Sequence, residues 1–212
     1  FEAKTSLFTV EFVSPTFPFF AIFTAYLLFK ISQLNISKFL SLFLAICILV
    51  FSAFWTLAFF SIYTKDDVRL QSSSWIKQNL SPGTVFIEEG NMVDIPFPEN
   101  FKKLSLNLYD LDENIITQQK LKADLEKSDY FIVQSRRLFK NHQRLPADFP
   151  KLANFYNQLF SGNLGFIEIK EISSYPQLNL LGWKIEFPDE NAEETWSVFD
   201  HPVIRIFRKN DK

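Results

Sequence analysis

FLSLFLAICILVFSAFWTLAFFSIY, residues 39–63, decides the fold. These 25 consecutive positions hold no charged side chain, and Lys38 and Lys65 bracket them. A helix rising about 1.5 Å per residue over this stretch crosses a hydrocarbon layer of roughly 30 Å with some tilt. A core helix of a water-soluble protein needs a polar stripe, and here only scattered Ser, Thr and Cys interrupt the apolar run. The segment reads as a transmembrane helix, and the 149 residues after it have ordinary soluble composition.

Working toward the N-terminus, FVSPTFPFFAIFTAYLLF at 12–29 is a second uncharged stretch of 18 residues. Pro15 and Pro18 fall at its start, where a helix tolerates proline best. It is read as a second span, with a re-entrant or interfacial helix as the alternative. The expected organisation is a membrane segment over 1–63 and a folded domain over 64–212. The loop 30–38 carries Lys30 and Lys38 and no acid, whereas residues 1–11 carry Glu2, Lys4 and Glu11. The positive-inside rule then puts that loop in the cytoplasm and the C-terminal domain on the extracytoplasmic side of the cytoplasmic membrane. The chain begins at Phe1 and is read as a piece of a longer protein.

Removing Lys4, Lys30 and Lys38 from the 22 basic residues leaves 19 from position 64 onward, and removing Glu2 and Glu11 from the 24 acidic ones leaves 22. A domain of net charge −3 with mixed signs has no dominant basic face, which argues against nucleic acid as a partner. The single cysteine, Cys47, lies within the apolar run, so no intrachain disulfide forms. His142 and His201 show no ligand spacing.

In the domain, residues 66–80 read as a helix with Asp66 and Asp67 at its start, stopped by Ser81-Pro82-Gly83. Thr84–Glu88 and Leu104–Tyr109 read as strands, Ile116–Lys127 as a helix, and the apolar YFIVQ at 130–134 as a strand buried on both faces. Phe149, Leu152, Ala153, Tyr156, Leu159 and Phe160 mark one face of a further helix, with Gly162 as its C-terminal cap. Strands at Phe166–Ile172 and Val203–Phe207 complete the pattern. Helices alternating with short apolar strands imply a layered α/β domain with a largely parallel sheet.

Two clusters carry chemistry. Glu88 and Glu89 end the first strand, an edge where α/β domains bind ligands, and Asp94 adds a third carboxylate. Such a group meets sugar hydroxyls or a divalent metal; the competing reading is a solvated strand end. Arg136 and Arg137 follow the buried strand, with Arg144 seven residues on. Arginine forks bind phosphate in bidentate fashion, against the plainer reading of ion pairs with Asp129 and Asp148. Asp200-His201-Pro202 suggests a triad fragment, but there is no Gly-x-Ser-x-Gly elbow, and His201 is read as fixing a turn. No cofactor is expected from the sequence.

FVSPTFPFFAIFTAYLL resembles the late membrane helix of GT-C-type, lipid-carrier-dependent glycosyltransferases, with Glu11-Phe12 where Arg-Tyr is usual. DDVRLQSSSWIKQNLSPGTVFIEEGNMVDIPFP resembles the start of their extracytoplasmic domain, matching at Arg69, Trp75, Ile76, Asn79, Pro82, Gly83 and Glu89; Asn91 stands where an aromatic is usual. DYFIVQSRRLFKNHQRLPADFPKLANFYNQLFSGNLGF and AEETWSVFDHPVIRIFRK are similar to the C-terminal portion of the same proteins. The resemblance implies the terminal membrane helices and exported domain of a protein-mannosyltransferase-like enzyme. Such an enzyme moves a sugar from a polyprenyl-phosphate carrier to a glycan or protein acceptor. It further implies that the catalytic acid lies upstream, so no residue here is assigned to catalysis, and this part caps the site or binds donor or acceptor. The rival reading is a non-enzymatic membrane-anchored binding or assembly module.

Overall fold

The computed structural model describes residues 16–33, 38–89, 94–192, 194 and 196–210. The chain divides into two compact units. One gathers the described part of Phe1–Thr64 with Tyr175–Asp189; the other holds Lys65–Ser174 and the described part of Glu190–Lys212.

In the first unit, helix α1 covers Phe17–Gln33 and α2 covers Lys38–Phe60, followed by a 3-10 turn at Ser61–Thr64. The continuous helical stretch Lys38–Thr64 has 27 residues, about 40 Å of rise, and is long and apolar enough to cross a membrane. Ala58 is the only buried residue of α2. Of the two expected spans, the described residues meet the length of one. Helix α1 has 17 residues and falls short of spanning length among the described residues, while positions 12–15 of the expected span lie outside them. The helix also runs on through Lys30 to Gln33, part of the expected loop, because no breaker separates Phe29 from Gln33 and lysine is a good helix former.

The same unit contains a feature with no counterpart in the sequence reading. Strands β5 (Gln177–Leu180) and β6 (Trp183–Glu186) form an antiparallel hairpin closed by Leu181-Gly182. Both turn residues have positive φ, 51° and 88°, the type I′ geometry that matches strand twist. Glycine adopts it freely; leucine there costs about 1–2 kcal/mol. The hairpin packs on α2: Phe187 meets the rings of Phe54 and Trp55 edge-on at 5.9 and 5.4 Å, and the Gln177 N–H donates to Ser61 Oγ at 2.9 Å.

The second unit is an α/β domain. Its elements run α3 (Val68–Asn79), β1 (Thr84–Glu89), β2 (Lys102–Asn107), α4 (Ile115–Lys127), β3 (Tyr130–Val133), α5 (Arg137–Gln143), α6 (Pro150–Phe160), β4 (Phe166–Ile172) and β7 (Ile204–Lys209). The sheet order is β2-β1-β3-β7-β4. β1 lies parallel to both β2 and β3, whereas β7 is antiparallel to both β3 and β4. The sheet is therefore mixed but mostly of one direction, as expected: β1, β2, β3 and β4 run the same way, and β7 opposes them. Crossovers join β1, β2 and β3, and the two helices α5 and α6 carry the chain from β3 to a β4 of the same direction; β7 enters between β3 and β4 from the opposite end.

Alternation along the strands splits the core in two. Phe86, Leu106, Phe131, Val133 and Phe207 face α4, α5 and α6, where Leu121, Leu138 and Tyr156 are buried. Val85, Ile87, Ile132, Ile204 and Ile206 face α3, where Val68 and Ile76 are buried. Helix starts are specified locally. Asp67 accepts from the Arg69 N–H, and Asn114 accepts from the N–H groups of Ile116 and Thr117. The start of α6 has no cap of its own; the Asp112 carboxylate reaches across to accept from the N–H groups of Lys151 and Leu152 at 2.7 and 3.2 Å. Gly162, at φ 77°, ends α6 as its position suggests.

Candidate functional site at the carboxyl ends of β1 and β3

From β1 the chain crosses to β2 on one side and later to β3 on the other, so the strand order reverses about β1. Above the carboxyl ends of strands at such a reversal, α/β sheets leave a crevice for ligands. The two sequence clusters end here: Glu88 and Glu89 close β1, and Gln134 to Arg137 follow β3.

Glu88 points to the α6 face, the same side as Phe86, and is 1% exposed. The fully buried Tyr156 of α6 donates its hydroxyl proton to Glu88 Oε1 at 2.6 Å. Burial, then the charge of Glu88 and its hydrogen bond, push the Tyr156 phenol well above its ordinary range. The phenol is thus locked in its neutral, donating form.

Nearer the surface, Tyr109 follows β2 and is 39% exposed. Burial of the rest of its ring raises the phenol; the Arg137 guanidinium beside it lowers it, and Glu194 and Glu88 raise it again. Arg137 Nε lies 3.4 Å from Glu194 Oε1, and its guanidinium stands over the Phe199 ring at 5.6 Å. The second Glu194 oxygen accepts from Asn141 Nδ2 at 2.7 Å. The His142 ring meets Tyr109 edge-on at 5.8 Å and Phe149 at 4.5 Å. Its Nδ1 is 2.8 Å from the Leu138 carbonyl; since a carbonyl only accepts, Nδ1 carries the proton.

The sequence-predicted residues fare differently. Glu88 and Arg137 come together around Tyr109. Glu89 instead accepts from Ser105 Oγ at 2.5 Å. Arg136 is buried and donates to the Ala192 carbonyl, tying that residue to the end of β3. Asp94 is exposed and pairs with Lys103 at 3.6 Å, and Arg144 is exposed at the end of α5. Arg137 pairs with Glu194, and Asp129 accepts from the Thr84 N–H at 2.7 Å. His201 is buried, with Nδ1 2.9 Å from Asp200 Oδ2 and its ring against Trp196 at 5.3 Å.

The reading from sequence took Tyr109 for a strand-end residue and Tyr156 for a core one, and passed over Asn141, Glu194 and Phe199. Only Tyr109 carried a signal, as an aromatic just past a strand end. Among the described residues, no three His, Cys, Asp or Glu side chains gather as a metal site. A shallow groove of about 370 Å³, lined by Ile167, Ile169, Arg208, Lys209 and Asn210, lies at the other end of the sheet. Comparison with protein-family models, curated proteins and solved structures returns no match for this chain.

This end of the sheet thus presents an exposed phenol, an aromatic face, a guanidinium, a carboxylate and an amide beside a buried carboxylate–phenol pair. Planar polar forks beside aromatic rings suit polyhydroxylated ligands, and the guanidinium suits a phosphate on them.

Proposed function

We propose that the chain is the membrane-attached head of a lipid-carrier-dependent glycosyltransferase, and that its crevice binds the phosphorylated sugar of a polyprenyl-phosphate donor. The observation that carries this reading is the meeting of Arg137, Tyr109, Glu194 and Asn141 at the carboxyl ends of β1 and β3. The resemblance of the flanking sequence supplies the donor class. It also assigns the head a binding role, since the catalytic acid of such enzymes lies in an upstream loop. In this reading α2 spans the cytoplasmic membrane, and the head works on its extracytoplasmic side.

Arg137 neutralises the donor phosphate and Tyr109 covers a sugar face. Glu194 and Asn141, already bonded to each other, take hydroxyls. The buried Glu88–Tyr156 pair fixes the floor and meets no ligand directly.

The test is binding of a polyprenyl-phosphate sugar to the chain in lipid nanodiscs. Arg137→Ala should weaken binding at least tenfold with the head still folded. Equal affinity in the variant and the parent would remove the proposal. Equal binding of a polyprenyl sugar lacking phosphate would remove the role given to Arg137.

A further inference from the structure

The β5–β6 hairpin has two unlike faces. Its register pairs Leu178 with Ile185 and Leu180 with Trp183; between them Gln177 pairs with Glu186 and Asn179 with Lys184. Side chains alternate across a strand, so one face is wholly apolar and the other wholly polar. Phe187 continues the apolar face, and its N–H donates to the Pro176 carbonyl.

The inner part of that face is covered. Leu178 is buried, and Phe187 sits against Phe54 and Trp55 of α2. The outer part stands open: Ile185 is 41% exposed, Leu180 48%, Trp183 78% and Leu181 101%. Leu181 also holds a positive φ, where asparagine or glycine is the ordinary choice. Neither backbone preference nor packing selects leucine at this position. The surroundings of the hairpin must.

The open apolar face continues the exposed apolar side of α2, to which the hairpin is bonded through Ser61 and stacked through Phe187. We infer that the hairpin is a lipid-facing arm, its Leu180, Leu181, Trp183 and Ile185 seated in the boundary between headgroups and acyl chains. Its polar face, with Lys184 bonded to Glu186, stays toward water. An indole settles at that depth, and an apolar face there enters roughly 5–10 Å. A bilayer is the occupant that covers the hairpin tip and the side of α2 as one surface; a second protein need cover only one. This inference rests on reading α2 as a span.

The test uses the full chain in phosphatidylcholine vesicles, with a polarity-sensitive fluorophore on a single cysteine. Native Cys47 reports on α2. In a Cys47→Ser background, Leu180→Cys, Leu181→Cys and Ile185→Cys report on the apolar face, and Asn179→Cys and Glu186→Cys on the polar one. Acyl chains brominated near the headgroup should quench the apolar-face labels severalfold more than the polar-face labels, while deeper bromines quench the Cys47 label most. Quenching at Cys47 with none at 180, 181 or 185 would overturn the arm and leave the span intact. No quenching at Cys47 would overturn the span itself. A blue shift at 181 without bromine quenching would mean cover by protein, a second copy included, and would also overturn the arm. Because three apolar sites are read separately, distortion of the turn by one substitution leaves the alternation measurable.

Discussion

The Tyr156 hydroxyl donates to Glu88 Oε1 at 2.6 Å and thereby joins α6 to the end of β1 beneath the candidate site. A polar pair in so apolar a place fixes one arrangement of helix on strand, because any slip costs Glu88 a hydrogen bond in a low-dielectric interior.

Tyr156→Phe removes that bond and keeps the ring. A loss of about 1–3 kcal/mol in unfolding free energy is expected, set by the desolvated carboxylate more than by the bond itself. Chemical denaturation of parent and variant checks it.

The same pair sets an alkaline limit. The phenol is held above its ordinary 10.0 in the folded head, so the unfolded chain releases this proton first. Below pH 10 both states keep the proton and the group adds no pH dependence. As pH rises beyond 10 only the folded state keeps it, and stability falls. Tyr156→Phe should flatten this fall. A denaturation series above pH 9 that runs parallel for parent and variant would contradict the assignment.

Gly83 is required by its neighbours. A Cβ there would lie 2.8 Å from Asp129 Oδ2 and 3.2 Å from the Tyr130 ring, and the carboxylate is held by the Thr84 N–H. Gly83→Ala should cost about 1–3 kcal/mol, as overpacking does. A melting temperature equal to the parent's would show that Asp129 yields easily.

Arg205 grips Glu190 with two hydrogen bonds, at 2.6 and 2.7 Å, and reaches Glu171 at 3.1 Å, with 12% of its side chain exposed. Arg205→Met should cost about 2–4 kcal/mol, somewhat below the figure for a fully buried pair because Glu190 keeps 21% exposure. Arg205→Lys should restore little of it, since an ammonium offers no fork. Full recovery by lysine would reduce the contact to simple charge.

Leu181→Asn puts a residue that tolerates positive φ into the turn. In detergent it should stabilise the hairpin by up to about 1 kcal/mol. Amide hydrogen exchange at Leu180 and Trp183, the hydrogen-bonded pair flanking the turn, checks this; faster exchange in the variant would show that leucine is favoured by contacts within the protein.

The head was largely legible because its signals are local. YFIVQ is apolar without alternation and becomes β3, buried on both faces. The spacing of Leu152, Ala153, Tyr156 and Leu159 becomes the buried side of α6. Strand direction was not legible: alternation shows that β7 is a strand, while its antiparallel place between β3 and β4 depends on how the chain returns. The hairpin was hidden because Leu-Gly lacks the Asn-Gly signature of its turn. At the site, Glu88 and Arg137 were visible as residue types at strand ends. Glu194 and Phe199 were not, since they arrive from more than 50 residues beyond β3, and only the fold brings them to Arg137. Arg136 and Arg137 look alike in sequence, but one tethers a loop inside the domain and the other reaches the crevice.

β7 lies inside the sheet, between β3 and β4, although it follows both of them in sequence. Before it docks, β4 has no hydrogen-bonded neighbour in the sheet, and the trio β2-β1-β3 ends in an unsatisfied edge. On the ribosome the apolar helices and the hairpin are therefore complete while the head still waits for its keystone. A chain stalled before residue 204 leaves the β3 edge and the whole of β4 unpaired, and both find their partner in one step when β7 docks.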